Sequence, residues 1–103
     1  MRAIVFFDLP VVYASDRRAY NKFRNFLIND GYIMLQESVY SKLLLNSQQS
    51  YFALERIKKN SPKKGIVQFL VVTEKQYSQM DYIIGDGDSK IINSEERLLI
   101  LWI

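Results

Sequence analysis

Apolar and polar residues repeat with different periods along the chain, and each change of period predicts a new element. Short apolar runs rich in β-branched and aromatic residues predict strands, the first of which ends before Leu9-Pro10. Apolar residues that recur every three or four positions predict two helices, with Ser15 as the N-cap of the first and Gly31 just past its end. The predicted elements are a strand at 2–8, a helix at Ser15–Asp30, strands at Tyr32–Leu35 and Val39–Leu45, a helix from Asn46 or Ser47 to Asn60, and a strand at Ile66–Thr73.

The order of these elements, βαββαβ, is that of the ferredoxin-like arrangement, an α+β fold in which one antiparallel sheet carries both helices on one face. The join between the second and third predicted strands, residues 36–38, contains neither Gly nor Pro, so a bent or bulged hairpin is expected there. At 103 residues the chain is predicted to be a single domain, with a core at 1–73 and an extension at 74–103.

The extension is expected to contact a partner or a second copy of the chain. It contains a short turn, an apolar triplet at 82–84, a turn at 85–88, a short apolar stretch at 90–92 and a very apolar end at 98–103. An end this apolar is unsuited to a free tail. It predicts a C-terminal strand that packs on its own sheet or adds to the sheet edge of a partner.

Charge is unevenly distributed. Residues 1–73 hold eleven Lys and Arg against five Asp and Glu, whereas residues 74–103 hold three against six. A basic body with an acidic end favours a polyanionic partner for the body, and ordinary solvated surface is an equal alternative. The absence of cysteine, of a signal-peptide pattern and of any apolar stretch of membrane-spanning length predicts a cytoplasmic protein that does not enter a membrane.

Candidate chemistry centres on Asp8, which ends the first apolar run. The chain has no His and no Cys, so the usual neutral-pH bases and soft metal ligands are missing, and a carboxylate with a hard metal ion is the favoured chemistry. A charge at the end of a buried strand is expected to need a partner. Two readings of Asp8 stay open, a metal ligand and a cap that accepts backbone N–H bonds from the following loop.

A set of short motifs resembles a known family. The chain has Phe7-Asp8 at the end of its first strand, Arg17-Arg18 in its first helix, and Gly31 followed five residues later by Gln36-Glu37-Ser38-Val39-Tyr40. This combination resembles the CRISPR-associated protein two family, small nuclease-like partners of the CRISPR integrase. Phe7 and Tyr40 replace a more usual Tyr and Phe, and Leu9-Pro10 departs from the usual continuation.

The resemblance implies a homodimer that bridges integrase subunits and holds double-stranded DNA during spacer acquisition. It also implies an endonuclease activity on RNA or DNA in some members, with the residue at Asp8 as the catalytic and metal-binding group. The expected cofactor is Mg²⁺ or Mn²⁺. One carboxylate per chain makes a poor site for such an ion, so a symmetric dimer is expected to bring two copies of Asp8 together around it.

Basic side chains supply the candidate contacts to nucleic acid. Arg17 and Arg18 lie in the first turn of a predicted helix, where backbone N–H groups also favour phosphate. Contacts of this kind to phosphate are independent of base sequence. The full set of predicted nucleic-acid-binding residues is Arg17, Arg18, Lys42, Lys63 and Lys64.

Two alternatives use the same predicted fold without catalysis. An RNA-recognition domain would need aromatic residues after Lys64-Gly65 on its strand, and the chain has Ile66-Val67 there instead. A small-molecule regulatory module would need a Gly-rich or polar ligand loop. Fold alone does not choose among the three functions.

Overall fold

A computed structural model describes residues 1–85 of the chain. It contains four strands and three helices. They are β1 (Arg2–Asp8), α1 (Ala14–Asn29), β2 (Ile33–Gln36), β3 (Val39–Leu43), α2 (Ser47–Asn60), β4 (Ile66–Val72) and α3 (Glu74–Ser78). The strands form one sheet in the order β2-β3-β1-β4, with every neighbouring pair antiparallel. This strand order confirms the predicted α+β fold of the ferredoxin-like kind.

The core lies between the sheet and the two long helices. Alternate residues of β1, namely Ala3, Val5 and Phe7, are buried and belong to one apolar cluster. The same cluster contains Phe23 and Leu27 from α1 together with Ala53 and Ile57 from α2. Both helices therefore pack on the same face of the sheet, as the sequence predicted.

The opposite face of the sheet, called the outer face here, carries the other residues of β1. Side chains alternate across a strand, so Ile4, Phe6 and Asp8 all lie on this face. The register places Ile66 opposite Asp8 and Leu70 opposite Ile4. About half of the surface of several apolar outer-face side chains is exposed: Ile33 48%, Leu43 53%, Ile66 56% and Leu70 50%. Among residues 1–85, the outer face therefore presents several half-exposed apolar side chains, whereas Ile4 on the same face is only 7% exposed.

The first helix begins one residue earlier than predicted, at Ala14, and its N-cap is Tyr13 rather than Ser15. The reason is Asp16, whose Oδ2 accepts the backbone N–H of Tyr13 at 3.3 Å and so caps the helix from inside its first turn. Arg17 steadies the preceding loop by donating from its guanidinium to the carbonyls of residues 11 and 12, at 3.2 and 2.9 Å.

The end of α1 agrees with the predicted glycine stop. Gly31 has φ +98°, and its N–H bonds the carbonyl of Ile28 at 3.1 Å. The N–H of Tyr32 bonds the carbonyl of Leu27 at 3.0 Å, so Tyr32 completes the helix cap and β2 starts one residue later than predicted. The predicted bulge in the following hairpin is confirmed by the register shift between Met34 and Gln36.

Two strands end earlier than predicted, because backbone groups at their predicted ends form hydrogen bonds with the helices that follow. β3 stops at Leu43, since the N–H of Leu45 donates to the side chain of Gln49 in the first turn of α2. β4 stops at Val72, since Thr73 is the N-cap of α3 and exchanges hydrogen bonds with Gln76.

The short turn predicted after β4 contains the five-residue helix α3. The turn at 85–88, the apolar stretch at 90–92 and the C-terminal strand at 98–103 fall wholly or mainly outside the described residues and stay predictions. Within the part of the chain that is described, no helix is long and apolar enough to cross a membrane.

Candidate functional site

Asp8 lies at the end of β1 and is exposed. This corrects the expectation that its charge sits at a buried strand end and needs a partner there. Its carboxylate accepts no hydrogen bond and forms no ion pair with any of residues 1–85. The loop-capping interpretation therefore finds no support among these residues, because it requires backbone N–H groups bonded to Asp8. An accessible carboxylate without a protein partner retains all of its acceptor positions for a metal ion or water.

A glycine packs tightly behind this strand end. Gly65 has φ +93°, and a Cβ added to it would lie only 2.6 Å from the carbonyl oxygen of Asp8. Only glycine adopts this backbone angle without strain and leaves room for so close an approach. The turn before β4 therefore lies directly against the backbone of Asp8 at the end of β1.

The turn that ends in Gly65 also brings two predicted nucleic-acid-binding residues to this end of the molecule. Lys63 and Lys64 are both exposed, and the Nζ of Lys64 lies 3.6 Å from the Oδ1 of Asp16 in α1. Arg17 and Arg18 follow Asp16 on the same helix and are exposed. The fold therefore collects four of the five predicted basic residues near the strand end that carries Asp8.

Lys42 is the exception, because it lies toward the opposite end of the sheet. It pairs with Ala3 in the register between β3 and β1. Its ammonium donates to the backbone carbonyl of Asp30 and lies 3.6 Å from the carboxylate of that residue. Lys42 thus has a structural partner at the end of α1, and its contact with nucleic acid stays a prediction.

Asp30 is the centre of a small charged cluster at that opposite end. Its carboxylate also accepts from the Nε of Arg56 at 3.0 Å. Tyr32 lies beside the cluster, and the Nζ of Lys42 is 5.6 Å from the centre of its ring. Burial, reinforced by the nearby Asp30 charge, raises the pKa of Tyr32 to about 12 despite an opposing effect of Arg56. Tyr32 is therefore neutral at ordinary pH.

Sequence reasoning missed a cavity of about 270 Å³ between the loop after β1, the start of α1 and the turn before β4. Asp16 lines this cavity and is buried, with only 7% of its surface exposed. The sequence alone marks Asp16 only as an acidic residue in the first turn of the predicted helix, where a negative charge is favourable. The signal that was available is its position three residues after Tyr13, the spacing of a capping box.

The described residues contain no group of three or more acidic or His side chains that could enclose a metal ion. A protein-enclosed metal site is therefore absent from residues 1–85 of a single chain. Mg²⁺ is commonly held by one or two carboxylates together with waters and substrate phosphate, so the accessible Asp8 fits the chemistry of this ion.

Comparison with known proteins agrees with these observations. The family described as "CRISPR associated protein Cas2" matches residues 1–80. The chain belongs to this family. It is 50% identical over 101 residues to the CRISPR-associated endoribonuclease Cas2 of Streptococcus mutans serotype c, covering 98% of this chain and 93% of that protein.

Other Cas2 proteins are similar over nearly the whole chain. The CRISPR-associated endoribonuclease Cas2 of Treponema denticola is 50% identical over 98% of this chain and 100% of its own length. The protein of the same description from Ligilactobacillus salivarius is 45% identical, again over 98% of this chain and 100% of its own length. The family resemblance seen in the sequence is confirmed.

A solved structure, that of Streptococcus pyogenes Cas2 at pH 6.5, resembles the fold with a TM-score of 0.61. It matches 79% of this chain and 96% of the other chain at 13% sequence identity. At this identity the likeness concerns the fold alone. It agrees with the mixed α/β fold of the described residues.

Proposed function

We propose that this Cas2-family protein is a metal-dependent nuclease that acts as a symmetric homodimer, with one Asp8 from each copy at the shared site. The observation that carries the proposal is the state of Asp8, which is exposed, without a partner among residues 1–85, and located on the outer face of the sheet. An exposed carboxylate of this kind is not desolvated when the chain folds, and its oxygens remain available to bind an ion.

The outer face supports the homodimer. Ile66 and Leu70 of β4 are about half exposed on this face, at 56% and 50%, and Ile66 is the cross-strand neighbour of Asp8. Burying such apolar surface against a second copy is favourable. In a dimer with two-fold symmetry each surface patch meets its own copy, so a patch close to the axis brings its two Asp8 residues close to each other.

The shared site would hold Mg²⁺, or Mn²⁺ in its place, between the two Asp8 carboxylates. When bound, the ion would stabilise charge on the attacked phosphate and lower the pKa of a nearby water. The chain itself would orient the substrate, since Lys63, Lys64 and the arginines of α1 place positive charge near the end of β1. The lack of His is no obstacle, because the carboxylates and the ion supply the chemistry.

The relatives are described as endoribonucleases, and this description favours RNA as the substrate of the proposed nuclease. A second role, in spacer acquisition, rests on membership of the family and on the basic end of the molecule. In that role the dimer holds double-stranded DNA against Arg17, Arg18, Lys63 and Lys64 and bridges integrase subunits. Phosphate contacts of this kind fix the position of a duplex without selecting its sequence.

The test of the nuclease is the variant Asp8→Asn in the full-length protein, assayed on single-stranded RNA with Mg²⁺ and with a chelator. We expect Asp8→Asn and chelation each to abolish cleavage, because an amide is a weaker ligand than a carboxylate for a hard cation. The matched control is Asp81→Asn, which changes another exposed acidic residue and should cleave like the unmodified protein. Undiminished cleavage by purified Asp8→Asn would exclude Asp8 from the reaction.

A further inference from the structure

The cavity beside α1 combines apolar walls with one buried carboxylate, and the proposed nuclease site does not use it. Its walls are mostly apolar and include Leu9, Pro10, Tyr20 and Pro62. Asp16 also lines it and is almost fully buried. A flat apolar ligand with hydrogen-bond donors along one edge fits such a cavity. Its faces would stack on the aromatic and apolar side chains, as the bases of nucleic acids do.

The carboxylate of Asp16 has acceptor capacity to spare. Its Oδ2 accepts one hydrogen bond, from the backbone N–H of Tyr13 at 3.3 Å, and its Oδ1 lies 3.6 Å from the Nζ of Lys64. A carboxylate offers about four acceptor positions, so these contacts leave room for donors from a ligand. The ion pair with Lys64 is long, and Lys64 is largely exposed, so this lysine is able to turn toward another anion.

The charges around the cavity discriminate between ligands. Lys63 and Lys64 line its margin and are exposed, whereas the buried charge is negative. A cationic side chain of a partner protein would be repelled by both lysines on entry. A nucleotide carries the complementary arrangement, since its phosphate is anionic and its base is neutral and bears donors.

We propose that this cavity binds an unpaired guanine base of a single-stranded nucleic acid, with the base against Tyr20 and the prolines and its phosphate beside Lys63 and Lys64. Guanine presents two adjacent donors, N1–H and the N2 amino group, which match the two oxygens of the Asp16 carboxylate. Adenine and cytosine offer an amino donor without the adjacent imino donor. The inference rests on the proposed function insofar as the protein must bind nucleic acid.

The cavity lies beside the proposed nuclease site but on the other side of the strand end. Leu9 follows Asp8 directly and belongs to the core cluster on the helix face, whereas Asp8 is on the outer face. A strand anchored by a base in the cavity would therefore pass the end of β1. Binding of guanine would select which part of that strand lies near Asp8.

The experiment measures the binding of the full-length protein to short labelled RNA and DNA strands of adenine that contain one central guanine. Replacing that guanine with inosine removes the N2 amino group, and we expect about a tenfold loss of affinity. Asp16→Asn should abolish this preference, because one acceptor oxygen becomes a donor, while the remaining oxygen still accepts the N–H of Tyr13. Ala19→Leu should do the same by filling the cavity without changing any charge.

The possible failures separate the two proposals. Equal affinity for the guanine and inosine strands would overturn the cavity proposal while leaving nucleic-acid binding intact. Failure of the protein to bind any strand or duplex would refute its proposed role on nucleic acids altogether. A guanine preference that persists in folded Ala19→Leu protein, or stronger competition by an arginine amide than by GMP, would also overturn the cavity as a base site.

Discussion

Asp8 and Asp16 are close in sequence, and their surroundings give them different properties. Asp8 is exposed and has no partner among the described residues, whereas Asp16 is 7% exposed, accepts the N–H of Tyr13 and lies near Lys64. A partner therefore stabilises the buried carboxylate, while water solvates the exposed one. The sequence pointed to Asp8 but assigned it the environment that Asp16 has, because the apolar run before Asp8 does not show that the strand ends at the surface.

Gly65 controls how closely the turn before β4 approaches Asp8, and its substitution should be costly. We expect Gly65→Ala to lower the free energy of unfolding by about 3 kcal/mol, since strain at φ +93° is added to a Cβ placed 2.6 Å from the carbonyl oxygen of Asp8. Gly85→Ala is the matched control. Gly85 has φ +97° but no neighbouring atom within 4 Å among the described residues, so about 1 kcal/mol is expected there.

Urea denaturation of both glycine variants measures the difference. If Gly65→Ala costs no more than Gly85→Ala, the turn and β1 move apart at little cost, and the close packing does not require glycine at position 65.

At the scale of elements, the sequence predicted the features that depend on local chemistry. Gly31 ends α1, Asn46 caps α2 through a hydrogen bond from Gln49 to its side chain, and the hairpin between β2 and β3 is bulged. Those features follow from residues within a few positions of each other. Strand ends were less predictable, because Leu45 and Thr73 give their backbone groups to helices that follow rather than to the sheet.

Tyr32 connects the end of α1 to β2 and predicts a pH dependence. Its hydroxyl is buried without a hydrogen-bond partner among the described residues, and its pKa is about 12 in the folded protein against an ordinary value of 10.0. The folded state therefore keeps a proton that the unfolded state releases. The contribution of Tyr32 to stability is complete below pH 10 and is lost as the pH rises through 10 toward 12.

Comparison with Tyr32→Phe isolates this effect from the other groups that titrate at high pH. At pH 7 the variant should be as stable as the unmodified protein or more stable by up to about 1 kcal/mol, because the hydroxyl makes no bond there. From pH 10 upward the unmodified protein should lose stability faster than the variant in urea denaturation. Parallel pH profiles would show that Tyr32 does not titrate with a raised pKa.

At the scale of the whole molecule, the topology was predictable, whereas the spatial grouping of the candidate nucleic-acid-binding residues was only partly predictable. The βαββαβ pattern led to the correct strand order, and the basic residues 17, 18, 63 and 64 do converge. Lys42 was assigned to them by charge alone, but the sheet places it toward the other end, beside Asp30. The cavity could not be found in the same way, because its walls come from segments about forty residues apart in sequence.

The grouping of basic residues predicts where duplex DNA binds. We expect Lys63→Ala to weaken binding and to lower the slope of log affinity against log salt by about 0.9, the contribution of one phosphate contact. Lys75→Ala, which removes an exposed lysine from α3, should leave the slope unchanged. Fluorescence anisotropy over a series of salt concentrations gives both slopes, and equal slopes for the two variants would place the DNA elsewhere.

In the proposed homodimer, one Asp8 from each of two copies forms a single nuclease site, and mixed dimers test this arrangement most directly. Unmodified and Asp8→Asn chains are mixed in equal amounts, exchanged to equilibrium, and assayed for Mg²⁺-dependent cleavage of single-stranded RNA. If a site needs both carboxylates, only dimers of two unmodified chains are active, and activity falls to about a quarter of that of the unmodified protein. Activity of about one half would show that each Asp8 acts alone and would contradict the shared site.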